Sequence, residues 1–199
     1  MVRAERTRKN YVGGLFVAAQ DNAIELKNIT KRFGSVVAND KVCLTVKKGE
    51  ILSILGENGS GKTTLLKAVC GELSHGGHVV LEGLELAGLR AKELAKRVSY
   101  IPQQSGISIS MSVLDVVLMG FYSKLGLLSQ PSADMRRNAY HALKQVGMAE
   151  LAERDYLTLS GGEKQLVIFA RTLVEGTKLL LFDEPDSSLD LGNKYRMVQ

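Results

Sequence analysis

EILSILGENGSGKTTLLKAVCGEL, residues 50–73, is the stretch that decides how this chain folds. The β-rich run EILSIL leads into a glycine-rich loop, and Leu65, Leu66, Val69 and Leu73 then recur at helical spacing. The loop fits the pattern G-x-x-x-x-G-K-[ST] at Gly56, Gly61, Lys62 and Thr63. Glycines let backbone N–H groups wrap around phosphate oxygens, and the following helix turns its positive end toward the same charge. A glycine-rich joint between a strand and a helix would explain Gly56, Gly59 and Gly61. It would explain neither the lysine, suited to β and γ phosphates, nor the hydroxyls of Thr63 and Thr64, the first suited to Mg²⁺. The stretch therefore predicts a strand, a phosphate-binding loop formed by Gly56, Glu57, Asn58, Gly59, Ser60 and Gly61, and a helix.

On the N-terminal side, residues 24–30 alternate before a turn near Gly34, and KVCLTV adds a further β-rich run. On the C-terminal side, GHVVLEGLEL returns to strand character, AKELAKR reads as a short amphipathic helix, and VSYIP as another strand. From about Ser112 to Ala152 the pattern is helical. Met135, Ala139, Ala142, Leu143 and Val146 share one face of a helix capped near Ser132. EKQLVIFARTLVEG is apolar on almost every side and predicts a buried helix; KLLLFD predicts a buried parallel strand. Strands alternating with helices indicate an α/β sheet, interrupted here by a helical block.

Two acids follow that last strand. A carboxylate at Asp183, ending a buried strand, is costly unless a cation or hydrogen bonds compensate it, and Mg²⁺ near Thr63 would do so through a water. Glu184 falls at the strand's C-terminal edge, where open α/β sheets place ligands, and could polarise a water attacking a γ-phosphate. A second signal is LSGGEKQ. Ser160 with Glu163 makes a capping box, an ordinary helix start. Such a box does not ask for Gly161 and Gly162, each of which costs up to about 1 kcal/mol against alanine in a helix. Bare backbone and a serine hydroxyl at a positive helix end make a second phosphate-binding surface.

GENGSGKTT, YIPQQ, LSGGEKQ, LLLFDEP and SSLD, in that order, resemble the ATP-binding subunit of an ABC transporter from about Asp21 to the end. The resemblance implies a P-loop NTPase of α/β class: a RecA-like core with an antiparallel β subdomain and an inserted helical subdomain. A basic tail (1–20) would precede one nucleotide-binding domain (21–199), with its core at 21–103 and 160–199 and the helical subdomain at about 104–159. It implies ATP sandwiched in a head-to-tail dimer with a second nucleotide-binding subunit. Lys62 and the loop hold phosphates; Thr63, Gln103 and Asp183 serve Mg²⁺; Glu184 is the catalytic base; Ser160, Gly161 and Gly162 reach the other subunit's γ-phosphate. Gln103 is chosen over Gln104 because it follows YIP. Phe33 falls where the family usually stacks a tyrosine on adenine, although a core aromatic at a strand end is the competing reading. Asp186 replaces a usual threonine.

The resemblance further implies a polytopic permease as partner, a periplasmic or extracellular binding protein indirectly, no nucleic acid, and a peripheral place on the cytoplasmic face of the plasma membrane. VLMGFYSKLGLLSQPSADMRRNAYHALKQVGMAELAERDY and SLDLGN resemble importers of iron-siderophore, haem or cobalamin complexes. An ABC-type ATPase of DNA repair or translation is the alternative. The former would carry long coiled coils where the segment between Gln103 and Ser160 is short, and the latter two cassettes where one P-loop and one signature occur.

Composition agrees with a globular chain: 199 residues, 45% hydrophobic and 24% charged. The net charge of +5 is partly contributed by MVRAERTRKN, expected to be a solvated tail. Cys43 and Cys70 form no CxxC pair, so neither a disulfide framework nor a zinc site is expected, and a reducing cytoplasmic setting is. His75 and His78 have no nearby cysteine or acid cluster beyond Glu72 and Glu82, so a metal site there is not expected. No run approaches the roughly 18 apolar residues of a membrane-spanning helix. Histidines occur only at 75, 78 and 141, so the histidine that the family places after the SSLD loop, and the strand leading to it, are expected to be missing. The expectation is a C-terminally truncated, poorly stable chain, nearly inactive as an ATPase.

Overall fold

The computed structural model describes residues 3–7, 22–103, 106–125 and 129–183. It divides into two compact units, 1–94 and 95–199.

In the first unit, β1 (Arg3–Thr7) runs antiparallel to β4 (Ile51–Leu55), with Arg3 opposite Leu55 and Thr7 opposite Ile51. Part of the stretch expected as a tail is thus a strand. Between them in sequence, β2 (Asn22–Phe33) and β3 (Val36–Lys47) form a hairpin that turns at Gly34, whose φ of 57° is left-handed. The loop after β4 leads into α1 (Lys62–Val69); β5 (Gly76–Leu81), the short β6 (Leu84–Glu85) and α2 (Ala91–Ala95) follow. One antiparallel sheet has the order β3-β2-β5-β6. Ile24 and Leu26 lie two apart on its buried face, but Ile29 lies three beyond Leu26 and is buried too. A register shift between Leu26 and Ile29, with Asn28 at φ 57°, restores the parity that a strict period of two would break.

The second unit holds β7 (Val98–Ile101), α3 (Val113–Leu118), α4 (Ala133–Gln145), α5 (Gly161–Glu175) and β8 (Leu179–Phe182). Ser112 and Ser132 cap α3 and α4, each accepting from the amide three residues on, so the start expected near Ser132 is observed. Short 3₁₀ turns continue α3 and connect α4 to α5. Ala139, Ala142, Leu143 and Val146 of the expected face are buried, packed with Val113, Val116, Val117, Tyr156, Leu166, Val167 and Ile168. α5 is buried at Gln165, Leu166, Val167, Ile168, Ala170, Thr172 and Val174, although Leu173 is exposed, and it ends at Gly176 in the left-handed region. A Cβ on Gly120 would lie 2.5 Å from the carbonyl oxygen of Arg171 and 2.6 Å from Val174 Cγ2, so the backbones meet there at a distance only glycine allows.

β8 pairs in parallel with β7, Val98 opposite Leu179 and Ile101 opposite Phe182. Its four residues are half-buried rather than buried. Among the described residues β8 has a strand partner on one side only, which leaves its apolar side chains less covered than a central strand's would be. Ser99 is buried in β7; its hydroxyl donates to Glu175 and lies 2.6 Å from the Thr177 hydroxyl, tying the end of α5 to the strand.

Candidate functional site

β4 ends at Leu55, the loop spans 56–61, and α1 begins at Lys62, in the strand–loop–helix order expected. Gly56 through Gly59 are exposed. Gly59 and Gly61 take φ of 80° and 95°, conformations that side chains resist. A Cβ on Gly61 would also sit 2.3 Å from the Ala38 carbonyl oxygen of β3. Ser60 N–H donates to the Glu57 carbonyl at 3.1 Å, closing the loop on itself.

The helix start is chemically incomplete in a telling way. No side chain caps α1, and its first turn carries no acid. The first amides of a helix have no intrahelical acceptors, so this end offers N–H groups and a positive dipole without a built-in anion. Lys62 Nζ donates to the carbonyls of Gly56 and Glu57, each at 2.9 Å. Its ammonium is folded over the loop, held by two oxygens of the kind a phosphate would offer. Thr63 and Thr64 occupy the first turn. The residues present fit a nucleotide polyphosphate: uncapped helix amides, a lysine over the loop and no acid in the first helical turn.

Phe33 ends β2 and is 49% exposed. A core aromatic would be covered, so the structure favours a presented ring. Lys31 Nζ stands 5.1 Å from the ring centroid while donating to the Ser74 carbonyl at 2.7 Å.

In the second unit Asp183 directly follows β8 and is 4% exposed. Its N–H donates to the Ile101 carbonyl and its Oδ2 accepts from the Tyr100 hydroxyl, both at 2.9 Å. Hydrogen bonding therefore accounts for part of the compensation that a buried carboxylate needs. Gln103 lies exposed just past β7 and Pro102. Glu184, Gln104, Asp186 and the SSLD loop lie outside the described residues.

Ser160, exposed, is the N-cap of α5, and the capping box is present. Ser160 N–H and Oγ–H both donate to Glu163 Oε2 at 2.7 Å, and Ser160 Oγ accepts from Glu163 N–H at 3.3 Å. The Ser160 hydroxyl, then the Ser160 amide, hold the Glu163 carboxyl below its ordinary range. Gly161 and Gly162 fill the first two helical positions, and neither has positive φ. Backbone conformation thus does not demand glycine at either place. His78 pairs with Glu85 at 3.1 Å, and among the described residues no group of three metal-ligating side chains occurs. Cys43 and Cys70 form no disulfide among the described residues.

A family model described as ABC transporter matches residues 39–187. The chain belongs to the ABC transporter family. It is 39% identical over 173 residues to a "Probable iron chelatin transport ATP-binding protein" of Helicobacter pylori, covering 86% of this chain and 68% of that one. It is 40% identical over 184 residues to the hemin import ATP-binding protein HmuV of Bordetella pertussis, covering 88% and 69%. It is 41% identical over 180 residues to the phosphonates import ATP-binding protein PhnC of Frankia casuarinae, covering 85% and 70%. A dimeric ATP-binding cassette in a post-hydrolysis state, bound to ADP and Pi, superposes with a TM-score of 0.75 at 27% identity, covering 88% of this chain and 80% of that one. The fold is that of the nucleotide-binding P-loop ATPase of ABC transporters, whose hydrolysis of ATP is coupled to transport.

Sequence reasoning found the loop, the capping box and the acid. It did not find the Tyr100–Asp183 hydrogen bond or the support that β3 gives the loop, because both depend on residues far apart in sequence.

Proposed function

We propose that this chain is the ATP-binding subunit of an importer for chelated iron or haem, working as one half of a head-to-tail dimer. The observation that carries the reading is the start of α1: a helix end with neither cap nor acid, overlaid by a lysine bound to two carbonyl oxygens.

Gly56 through Gly61 and Lys62 hold the phosphates, and the Phe33 ring receives the adenine. Thr63, Gln103 and Asp183 are the candidates for Mg²⁺ and its waters. Each offers an oxygen of the hard kind such an ion prefers. Bound there, such an ion would supply charge neutralisation for the phosphates. Glu184 orients and polarises the attacking water, taking its proton. Ser160, Gly161 and Gly162 face the γ-phosphate of the partner's nucleotide. The exposed position of Ser160 and two helix-start glycines that the backbone does not require support that assignment.

No helix among the described residues is long and apolar enough to cross a membrane. Docking onto a polytopic permease at the cytoplasmic face, with a binding protein delivering cargo from the other side, completes the reading. The cargo assignment is supported by relatives named for iron chelatin and hemin.

Sedimentation of the Glu184→Gln chain with saturating ATP tests the arrangement. That variant should retain ATP and sediment as a dimer, and adding Ser160→Arg should return it to monomer. A nucleotide-saturated monomer would contradict the head-to-tail site.

A further inference from the structure

Asn39 is a polar side chain in a place where polarity needs a reason. It lies on β3, paired in register with Lys31 of β2, and is 4% exposed. Its Nδ2 donates to the Gly61 carbonyl at 3.1 Å. Its Oδ1 is buried with no hydrogen-bond partner among the described residues. A leucine of similar size would fill the space without leaving a buried acceptor unpaired, so the carboxamide must return something that leucine would not.

What it returns follows from the geometry of the peptide. Gly61 holds φ at 95°, and its carbonyl also accepts the first helical bond of α1 from Leu65 N–H at 2.9 Å. The 61–62 peptide is planar and trans, so its C=O and the Lys62 N–H point in opposite directions. Drawing the Gly61 oxygen toward Asn39 on β3 turns the Lys62 N–H away from β3. Lys62 is the first residue of α1, so that N–H has no intrahelical acceptor. A Cβ at position 61 would stand 2.3 Å from the Ala38 carbonyl oxygen and 2.9 Å from Asn39 Nδ2, so only glycine lets the loop approach β3 closely enough for this bond.

We infer that Asn39 is a positioning residue for nucleotide binding: its carboxamide pins the Gly61 carbonyl and thereby aims the Lys62 backbone N–H at a phosphate oxygen. The inference rests on the nucleotide reading of the loop. Asn39 touches no nucleotide itself; it acts by fixing one donor from the rigid β2–β3 hairpin, so that less ordering remains to be done on binding.

The test is calorimetric titration of the 199-residue chain with ATP, comparing wild type, Asn39→Leu and Asn39→Asp at neutral and mildly acidic pH. Asn39→Leu, with an unchanged circular dichroism spectrum, should bind ATP roughly tenfold more weakly, the size expected for one lost orienting hydrogen bond. Asn39→Asp gives a readout that simple packing would not move. At neutral pH its carboxylate faces the Gly61 oxygen and affinity falls; on acidification the carboxyl regains an O–H donor, and affinity relative to wild type at the same pH recovers. Wild-type affinity in Asn39→Leu, or an Asn39→Asp to wild-type ratio that stays flat with pH, would overturn the inference. Wild type that binds no ATP would instead overturn the nucleotide reading, and the inference with it.

Discussion

The Tyr100 hydroxyl donates to Oδ2 of Asp183 at 2.9 Å, joining the penultimate residue of β7 to the acid that follows β8. The two strands are parallel, with Tyr100 opposite Leu181 and Ile101 opposite Phe182. The bond is therefore diagonal across the pair. It gives a buried carboxylate a neutral donor inside the protein, on the oxygen that faces the neighbouring strand.

Tyr100→Phe removes that donor while keeping the ring. A hydrogen bond to a charged group is worth about 2 kcal/mol, and a chain of this size loses roughly 5 °C in melting temperature for that amount. Differential scanning calorimetry should show a drop of this order. An unchanged transition would mean that Asp183 is compensated without Tyr100.

Acid should weaken the second unit through two carboxyls held below their ordinary values of 4.5 and 3.8. Glu163 is lowered first by the Ser160 hydroxyl, then by its amide, and Asp155 by the Ser110 hydroxyl, then by the Leu157 amide. Folded-state values below the unfolded ones mean stability present above about pH 4 and lost as pH falls through the folded values. Glu163→Gln should flatten the stability curve below about pH 4 in urea titrations followed across pH. A slope identical to wild type would show that the capping box does not titrate with folding.

Ser160→Ala should cost about 1 kcal/mol by the loss of the cap, readable as a lower urea midpoint at neutral pH. The same variant should leave ATP affinity of the monomer unchanged, because the P-loop lies elsewhere in the chain. A large loss of monomer affinity would contradict the division of labour between the two phosphate-binding surfaces.

The parts of the site legible in the sequence are those whose logic is local. The loop 56–61, the helix after it and the Ser160–Glu163 box each lie within a few residues, where spacing alone fixes which groups meet. The Ser132 cap and the buried face of α4 follow the same rule. Asn39 with Gly61, and Tyr100 with Asp183, are separated by 22 and 83 residues. Nothing in the local pattern around Asn39 marks it as buried, since its neighbours Asp40 and Lys41 are exposed. The strand at Arg3–Thr7 was hidden by its charge: RAERT alternates weakly and reads as solvated until β4 supplies a ladder. The apolar run of β8 reports how covered a strand wants to be and not which neighbours it has, so its half-burial could not be read from LLLF alone.

Gly120→Ala should destabilise the second unit, since the added carbon would overlap the Arg171 carbonyl and Val174. Overpacking of this kind costs about 1–3 kcal/mol, and here the nearest atom is backbone, which cannot swing aside. Chemical denaturation should show the loss. Wild-type stability would mean that α5 shifts at no cost.

The central claim is that the loop 56–61 and Lys62, at the uncapped start of α1, hold a nucleotide. Equilibrium titration with ATP, comparing wild type with Lys62→Ala, tests it most directly. Wild type should bind, and Lys62→Ala should bind roughly tenfold or more weakly with its fold intact, because a charge-assisted contact to the phosphates is gone. Equal affinity in the two proteins, or no binding by wild type, would contradict the account.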